Sequence, residues 1–243
     1  MKTLNYLRLL PIFALALFLT SCEGDGWNNI RGTGPVYSET RDVPTHRDIS
    51  VAIPADVYIV QSPVRDLTIE AQANVLDAIE TYVSGNELKI KLEKGAGLGR
   101  HETIKIYISS AYYNSIRLSG SVNLYAETPI VTDVFDVSIS GSGSVDAEVF
   151  ANTVRASISG SGKISLAGTT ITENFTVSGS GDIYAFGLLS ETANISISGS
   201  GTTEVSVAEF LKASISGSGN IYYKGYPVID SRISGTGSVI HVN

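Results

Sequence analysis

The chain reads as an all-β protein: a parallel β-helix, or solenoid, of about seven coils of 18–21 residues, preceded by a less regular β lobe. Two observations carry this. The first is a repeat. Ser138-Ile139-Ser140-Gly141-Ser142-Gly143 recurs at Ser157–Gly162, Thr176–Gly181, Ser196–Gly201, Ser214–Gly219 and Arg232–Gly237, with a degenerate copy at Arg117-Leu118-Ser119-Gly120-Ser121. A near-fixed period of this size marks coils stacked one on the next. The second is parity. Val137, Ile139, Gly141, Gly143, Val145, Ala147 and Val149 share one phase, and the intervening positions are rich in serine. Strand side chains alternate faces, so each repeat has an apolar wall and a hydroxyl wall.

Stacking like on like predicts an inner column of Ile139, Ile158, Val177, Ile197, Ile215 and Ile233. Each such side chain, once buried, stabilises by about 1.5–3 kcal/mol. The repeated glycines share the inward phase. Either the chain bends where a side chain forbids the backbone angles, or the opposite wall comes too close for a β-carbon. The serines between them read as a solvated ladder, with a ligand-binding stripe as the alternative. An antiparallel meander also suits short strands at even spacing. The parallel solenoid is preferred because only whole-coil stacking rewards identical residues at each interval. An open parallel edge after Val239-Ile240-His241-Val242-Asn243 would invite association, so a local cap or pairing is expected there.

The segments before the repeat follow in order. Residues 1–21 read as a signal peptide of lipoprotein type: Lys2 and Arg8 are basic, and Leu9–Leu19 is an apolar run too short to span a bilayer as a helix. Leu19-Thr20-Ser21-Cys22 resembles a bacterial lipobox, which makes Cys22 the candidate lipidation site and the membrane a partner through its acyl chains. Cys22 is the sole cysteine, so no internal disulfide can form. Glu23-Gly24-Asp25-Gly26 partly resembles the surface-export signals of Bacteroidetes lipoproteins. The expected location is the bacterial outer membrane, with the periplasmic and surface faces both open. Residues 22–35, rich in Gly and Asn, are expected to form a flexible tether.

Residues 36–115 form the irregular β lobe. Asp48–Ile53, Asp56–Val60, Leu67–Ala71, Glu87–Glu93 and Thr103–Ile108 alternate with one apolar face. Ala73–Ile79 is the one plausible helical turn, and Gly95-Ala96-Gly97-Leu98-Gly99 reads as a loop. The repetitive solenoid occupies residues 116–243, continuous with this lobe or separate from it.

Charge and motifs narrow the function classes. Without residues 1–21 the chain holds 15 basic against 24 acidic residues, which argues against nucleic acid. No nucleophile elbow, phosphate loop, His-Glu-x-x-His or Cys-x-x-Cys is present. His46, His101 and His241 lie far apart in sequence, and no metal or cofactor is implied. Polysaccharide-cleaving β-helices need clustered acids. Asp146 and Asp182 each follow a glycine turn, but Lys163, Thr202 and Asn220 stand at the matching positions. The reading is therefore not an enzyme. Near the C-terminus, Tyr222, Lys224 and Tyr226 are candidate binding residues, since tyrosine offers an apolar face with a polar tip.

The repeated Ile-Ser-Gly-Ser-Gly, the upstream Arg41-Asp42-Val43, and Ile69-Glu70-Ala71 with Asn74-Val75-Leu76 resemble the family called putative auto-transporter adhesin, head GIN domain. The resemblance covers roughly residues 36–237. It implies a β-helix-like fold in lipoproteins of unassigned function, and no catalytic residues. The expected function is a lipid-anchored binding or adhesion module at the cell envelope, contacting glycan or protein. The alternative is a structural envelope lipoprotein without a soluble ligand.

Overall fold

The structure, a computed structural model, describes residues 28–243. The expected signal segment, the lipidation site Cys22 and the first part of the tether lie outside the described residues. The chain is nearly all β. It begins with β1 (Asn28–Ile30), β2 (Val36–Thr40), β3 (Asp48–Val51), β4 (Asp56–Gln61) and β5 (Asp66–Gln72). A short helix α1 (Ala73–Leu76) follows, at the helical turn foreseen, and then β6 (Ile79–Ser84), β7 (Glu87–Leu92), β8 (Ala96–Leu98) and β9 (Lys105–Ser110). The repeat supplies β10 (Ser115–Gly120), β11 (Asn123–Ala126), β12 (Ile130–Gly141), β13 (Ser144–Gly160), β14 (Lys163–Gly179), β15 (Asp182–Gly199) and β16 (Thr202–Gly217). The chain closes with β17 (Asn220–Lys224), β18 (Val228–Gly235) and β19 (Ser238–His241).

The repeat builds a parallel solenoid of about seven turns. Ile139 pairs with Ile158, Ile158 with Val177, Val177 with Ile197, Ile197 with Ile215 and Ile215 with Ile233. The column therefore stands as parity requires. All but Ile233 are buried. It also continues downward, through Leu118 to Val51 and then Ile90. The strands of the irregular lobe thus form two further rungs, β3 with β4 and β7 with β9, against the first rung of the repeat. These rungs are out of chain order, since β7 and β9 stack outside β3 and β4. Beyond them the direction reverses: β6 runs antiparallel to β7, β5 to β9, and β2 to β5.

Each coil turns at two corners. One is the Gly-Ser-Gly segment. The other skips a residue in the ladder: Thr132 pairs with Ala151 and Val134 with Thr153, leaving Asp133 and Asn152 outside. That skipped residue switches the inward phase, so Val149 and Val154 are both buried. The alternation read from the sequence breaks across this corner, and again at bulges within β14–β16, where Ala185 and Leu188 are both buried.

Both proposed reasons for the glycines apply, with one correction. Gly160 has φ +126°, a conformation disfavoured for any residue with a side chain. A β-carbon there would also lie 2.5 Å from the Gly141 carbonyl oxygen. On Gly162 it would lie 2.7 Å from Ile139 Cγ2 and 3.0 Å from the Gly143 carbonyl. The crowding comes from the adjacent coil of the stack, not from the opposite wall. Close approach lets the Gly141 carbonyl accept the Ser161 N–H at 3.0 Å and the Gly143 carbonyl accept the Lys163 N–H at 3.0 Å.

Two regions expected to be irregular are ordered. The tether ends early, because Asn28–Ile30 pairs in parallel with Ala96–Leu98 inside the glycine-rich loop. Side chains fix the next residues: Asn74 Nδ2 donates to the Arg31 carbonyl at 2.7 Å, and the Thr33 N–H donates to Asn74 Oδ1 at 3.0 Å. Arg41 donates to the carbonyls of Leu76 at 2.9 Å and Ile79 at 2.5 Å, tying α1 and β6 together. Arg41 and Asn74, which carry part of the family resemblance, therefore hold backbone in place.

The core contains one anomaly. Glu173 is fully buried between Val154 and Ala193 of the neighbouring coils. Neither carboxylate oxygen has a hydrogen-bond partner among the described residues. Burial pushes its pKa well above the usual carboxylate range; the nearby Ser190 hydroxyl acts in the opposite sense, although it donates to the Ser206 carbonyl at 3.3 Å rather than to the carboxylate.

Two tests follow from this packing. Gly160→Ala should destabilise by about 2 kcal/mol or more, while Ser161→Ala should stay within about 0.5 kcal/mol, both read by chemical denaturation. Equal stabilities would contradict the stacking account. For Glu173 the folded-state pKa lies above the unfolded value of 4.5. Its contribution is fully present below that unfolded value and is lost as pH rises through the folded one. The wild type should therefore lose stability relative to Glu173→Gln as pH rises from 5 to 8, by up to about 1.4 kcal/mol per pH unit. A pH-independent difference would show that the fold does not raise the pKa of Glu173 above its unfolded value.

Candidate binding surfaces

Tyr222 and Lys224 stand two apart on β17 and share one face of it, and Tyr226 follows beyond the strand. Tyr222 lies in the ladder between Glu204 and Ile240, half-buried. Lys224 turns its ammonium over the Phe186 ring, 4.7 Å from the centroid. Tyr226 is 90% exposed and follows Gly225, whose φ of +92° turns the chain. Its ring lies 5.4 Å from that of His241, which in turn lies 5.2 Å from Tyr223. The structure thus joins Tyr226 to His241 and Tyr223. His241 gave no signal in the sequence, because its place beside Tyr223 depends on the register between β17 and β19.

Tyr222 belongs to a longer outward column. Tyr107, Tyr58 and Tyr125 occupy successive rungs, followed by Asp146, Ser165, Tyr184 and Glu204 beneath Tyr222. The first three rings stack, with centroids 5.2 and 5.4 Å apart and planes within 16° and 22°. Rings stacked along the solenoid axis present their edges and hydroxyls to solvent, which favours hydrogen bonding over face stacking with a ligand. Asp146 and Asp182 stand in different columns: Asp146 pairs with Tyr125 and Ser165, Asp182 with Lys163 and Thr202. The comparison of equivalent positions made from sequence is corrected accordingly. Among the described residues no group of three or more His, Cys, Asp and Glu side chains comes together.

The most built concave surface lies elsewhere. A cleft of about 650 Å³ opens where the end of β9 and the start of β10 meet the skipped corner of β12. Arg47 and Tyr112 form one side, Val131 and Asp133 the other, and Asp48 and Asp136 part of the floor. The Arg47 guanidinium sits over the Tyr112 ring at 4.7 Å. Such a contact is worth about 0.5–1 kcal/mol at an exposed site. The backbone beneath is fixed: the Asn114 N–H donates to the Arg47 carbonyl at 2.8 Å and the Asp136 N–H to the Asn114 carbonyl at 2.8 Å. Gln61 clamps the rim, accepting the Val131 N–H at 2.7 Å and donating to the Val131 and Ala111 carbonyls at 3.0 Å.

The cleft's charges are interspersed. Arg117 pairs with Glu87 at 2.8 Å, and Arg155 with Asp136 at 3.4 Å. Burial raises the pKa of Asp48, with Arg117 acting in the opposite sense. The floor continues as an outward column of Asp48, Ser115, Asp136, Arg155, Asn174, Asn194 and Lys212. Carboxylate, hydroxyl, guanidinium and amide groups therefore recur at one rung spacing, about 4.8 Å. This array can donate to and accept from a hydroxyl-rich ligand along its length. Sequence reasoning missed the cleft because its walls come from three separate segments.

Comparison with known proteins agrees with the fold. No functionally curated protein matches the sequence. Among solved structures, a putative adhesin from Bacteroides fragilis superposes with a TM-score of 0.84 at 25% identity, covering 88% of this chain and 100% of its own. A putative lipid binding protein from Parabacteroides distasonis gives 0.76 at 27% identity, covering 89% and 100%. A putative adhesin from the same species gives 0.73 at 25% identity, covering 88% and 100%. The family described as putative auto-transporter adhesin, head GIN domain, matches residues 46–227, and the chain belongs to it.

Proposed function

We propose that this chain is a binding module of the bacterial cell envelope, held to the outer membrane by acyl chains on Cys22, that takes a polar glycan in the Arg47–Tyr112 cleft. The observation that carries this reading is the cleft itself. It combines an aromatic and guanidinium pair with carboxylate and amide groups carried on the strands. Glycans expose hydroxyls in pairs that such groups bind bidentately, and an aromatic wall covers the apolar face of a sugar ring. The adhesin names of the family and of two structural neighbours support binding rather than catalysis. The anchor rests on the Leu19-Thr20-Ser21-Cys22 motif.

The test has two arms. On a glycan array, the full chain should bind a limited set of polar glycans, and both Arg47→Ala and Tyr112→Ala should lower that binding at least tenfold with melting temperature unchanged. Tyr112 is 49% exposed, so its truncation removes little packing. Glycan binding that survives both substitutions would move the site away from the cleft; no glycan binding at all would leave a structural envelope role as the better reading. Separately, Cys22→Ala should abolish acyl labelling and release the chain from the membrane fraction. Retained labelling would overturn the anchor without touching the cleft.

A further inference from the structure

The two ends of the solenoid differ. At the first end, reversed strands cover the stack. At the other, β18 pairs only with β16 and β19 only with β17, so the cap expected there is missing among the described residues. Every residue of β18 is exposed. Ile229 and Ile233 stand over the buried Leu211 and Ile215, yet they are 41% and 45% exposed. They differ from the residues beneath them in having no rung above. The free edge also offers unpaired backbone donors and acceptors, which in soluble proteins are normally covered or blunted.

We infer that a second copy of this chain supplies the missing rung, through antiparallel pairing of β18 with its own counterpart about a two-fold axis at Ser231. Geometry fixes the direction. A two-fold axis perpendicular to the sheet keeps both apolar faces on one side and makes the strands antiparallel. An axis along the strands would place one core against the other chain's outer face.

The sequence of β18, Val228-Ile229-Asp230-Ser231-Arg232-Ile233-Ser234-Gly235, fixes the register. Residues directly opposite in an antiparallel pair share a face. Centred on Ser231, Asp230 of each copy faces Arg232 of the other, and Ile229 faces Ile233. Both matches occur twice by symmetry, as an isologous interface requires. Shifting the centre to Asp230 or Arg232 loses both. Asp230 and Arg232 lie on the outward phase, above Lys212 and Ser214, and neither takes part in an ion pair within the chain among the described residues. An edge meant only to stay single would carry like charges, which oppose self-pairing; this one carries a self-complementary pair. The opposite ends of such a dimer, where Asn28–Ile30 lies, would stand about 80–90 Å apart at one rung per 4.8 Å. If Cys22 is acylated as proposed above, the described residues nearest the two anchors, Asn28 of each copy, lie at opposite ends, which suits contact between two membranes; the pairing itself does not depend on the anchor.

Sedimentation equilibrium of the full chain in density-matched detergent tests this. The wild type should show a concentration-dependent monomer–dimer equilibrium and no larger species. Asp230→Arg and Arg232→Asp each set like charges opposite one another twice, so each alone should weaken the dimer about tenfold or more. An equimolar mixture of the two variants should recover it, since the two arginines of one then face the two aspartates of the other. The double exchange Asp230→Arg/Arg232→Asp should recover it within one chain. Both positions are exposed, so at concentrations where every variant is monomeric the melting temperatures should not differ. A monomer at all concentrations, open-ended oligomers, or a dimer indifferent to the single substitutions would overturn the proposal; so would failure of the mixture to recover association.

Discussion

The structure depends on how closely one coil can approach the next at the Gly-Ser-Gly corner. Parallel rungs lie about 4.8 Å apart, and at a corner the backbone must turn without widening that gap. At Gly160 the turn uses φ of +126°, and the space a β-carbon would take is held by the carbonyl of Gly141. That same carbonyl accepts the Ser161 N–H. One atom therefore excludes a side chain and bonds the next coil. Because the Gly-Ser-Gly corners from Gly141 to Gly235 close in this way, the isoleucine column stays in register, and the outward residues form straight columns.

Straight columns are what make a surface out of a repeat. A side chain that varies between repeats lands at a fixed place in a ladder of known spacing. Asp48, Asp136, Arg155 and Asn174 are ordinary surface residues taken singly, but stacking makes them one array beside the Arg47–Tyr112 cleft. The tyrosine column on the other arm arises in the same way. The conserved spacing of the scaffold and the variety of its outward residues are two results of one constraint.

This also explains what the sequence disclosed. The Ile139–Ile233 column was legible because identical residues recur at whole-coil intervals, and only parallel stacking rewards that recurrence. The lobe before it was not, for a physical reason. Its rungs β7 and β9 stack outside β3 and β4, against chain order, and β2, β5 and β6 run in reverse, so no period survives. Single strands could be read there by alternation, but not their partners. The cleft was hidden for the same reason: Arg47 and Tyr112 meet Asp133 only after two reordered rungs have stacked on the repeat. Tyr226 was legible as an exposed turn residue, whereas its neighbour His241 needed the register of the last rung. Glu173 shares the inward phase of Phe175 and Val177, but the sequence did not show that this phase holds back to the skipped corner residue, so the glutamate passed unnoticed.

The reversed strands bear on how such a fold ends. A parallel stack has no intrinsic terminus: each rung exposes the same edge that its predecessor covered. At the first end the chain stops the stack by changing direction, since an antiparallel strand no longer offers the repeat's register to a further coil. It adds charge at this edge, where Lys91 pairs with Glu80 at 3.0 Å on β6. At the last end no strand among the described residues covers the rung after Ile215, and Ile233 is half in solvent. In head-to-tail stacking the last edge of one copy would meet the reversed strands of another, and the column would not continue in parallel register. The proposed association of last edge with last edge keeps both cores continuous and is closed by symmetry after two copies.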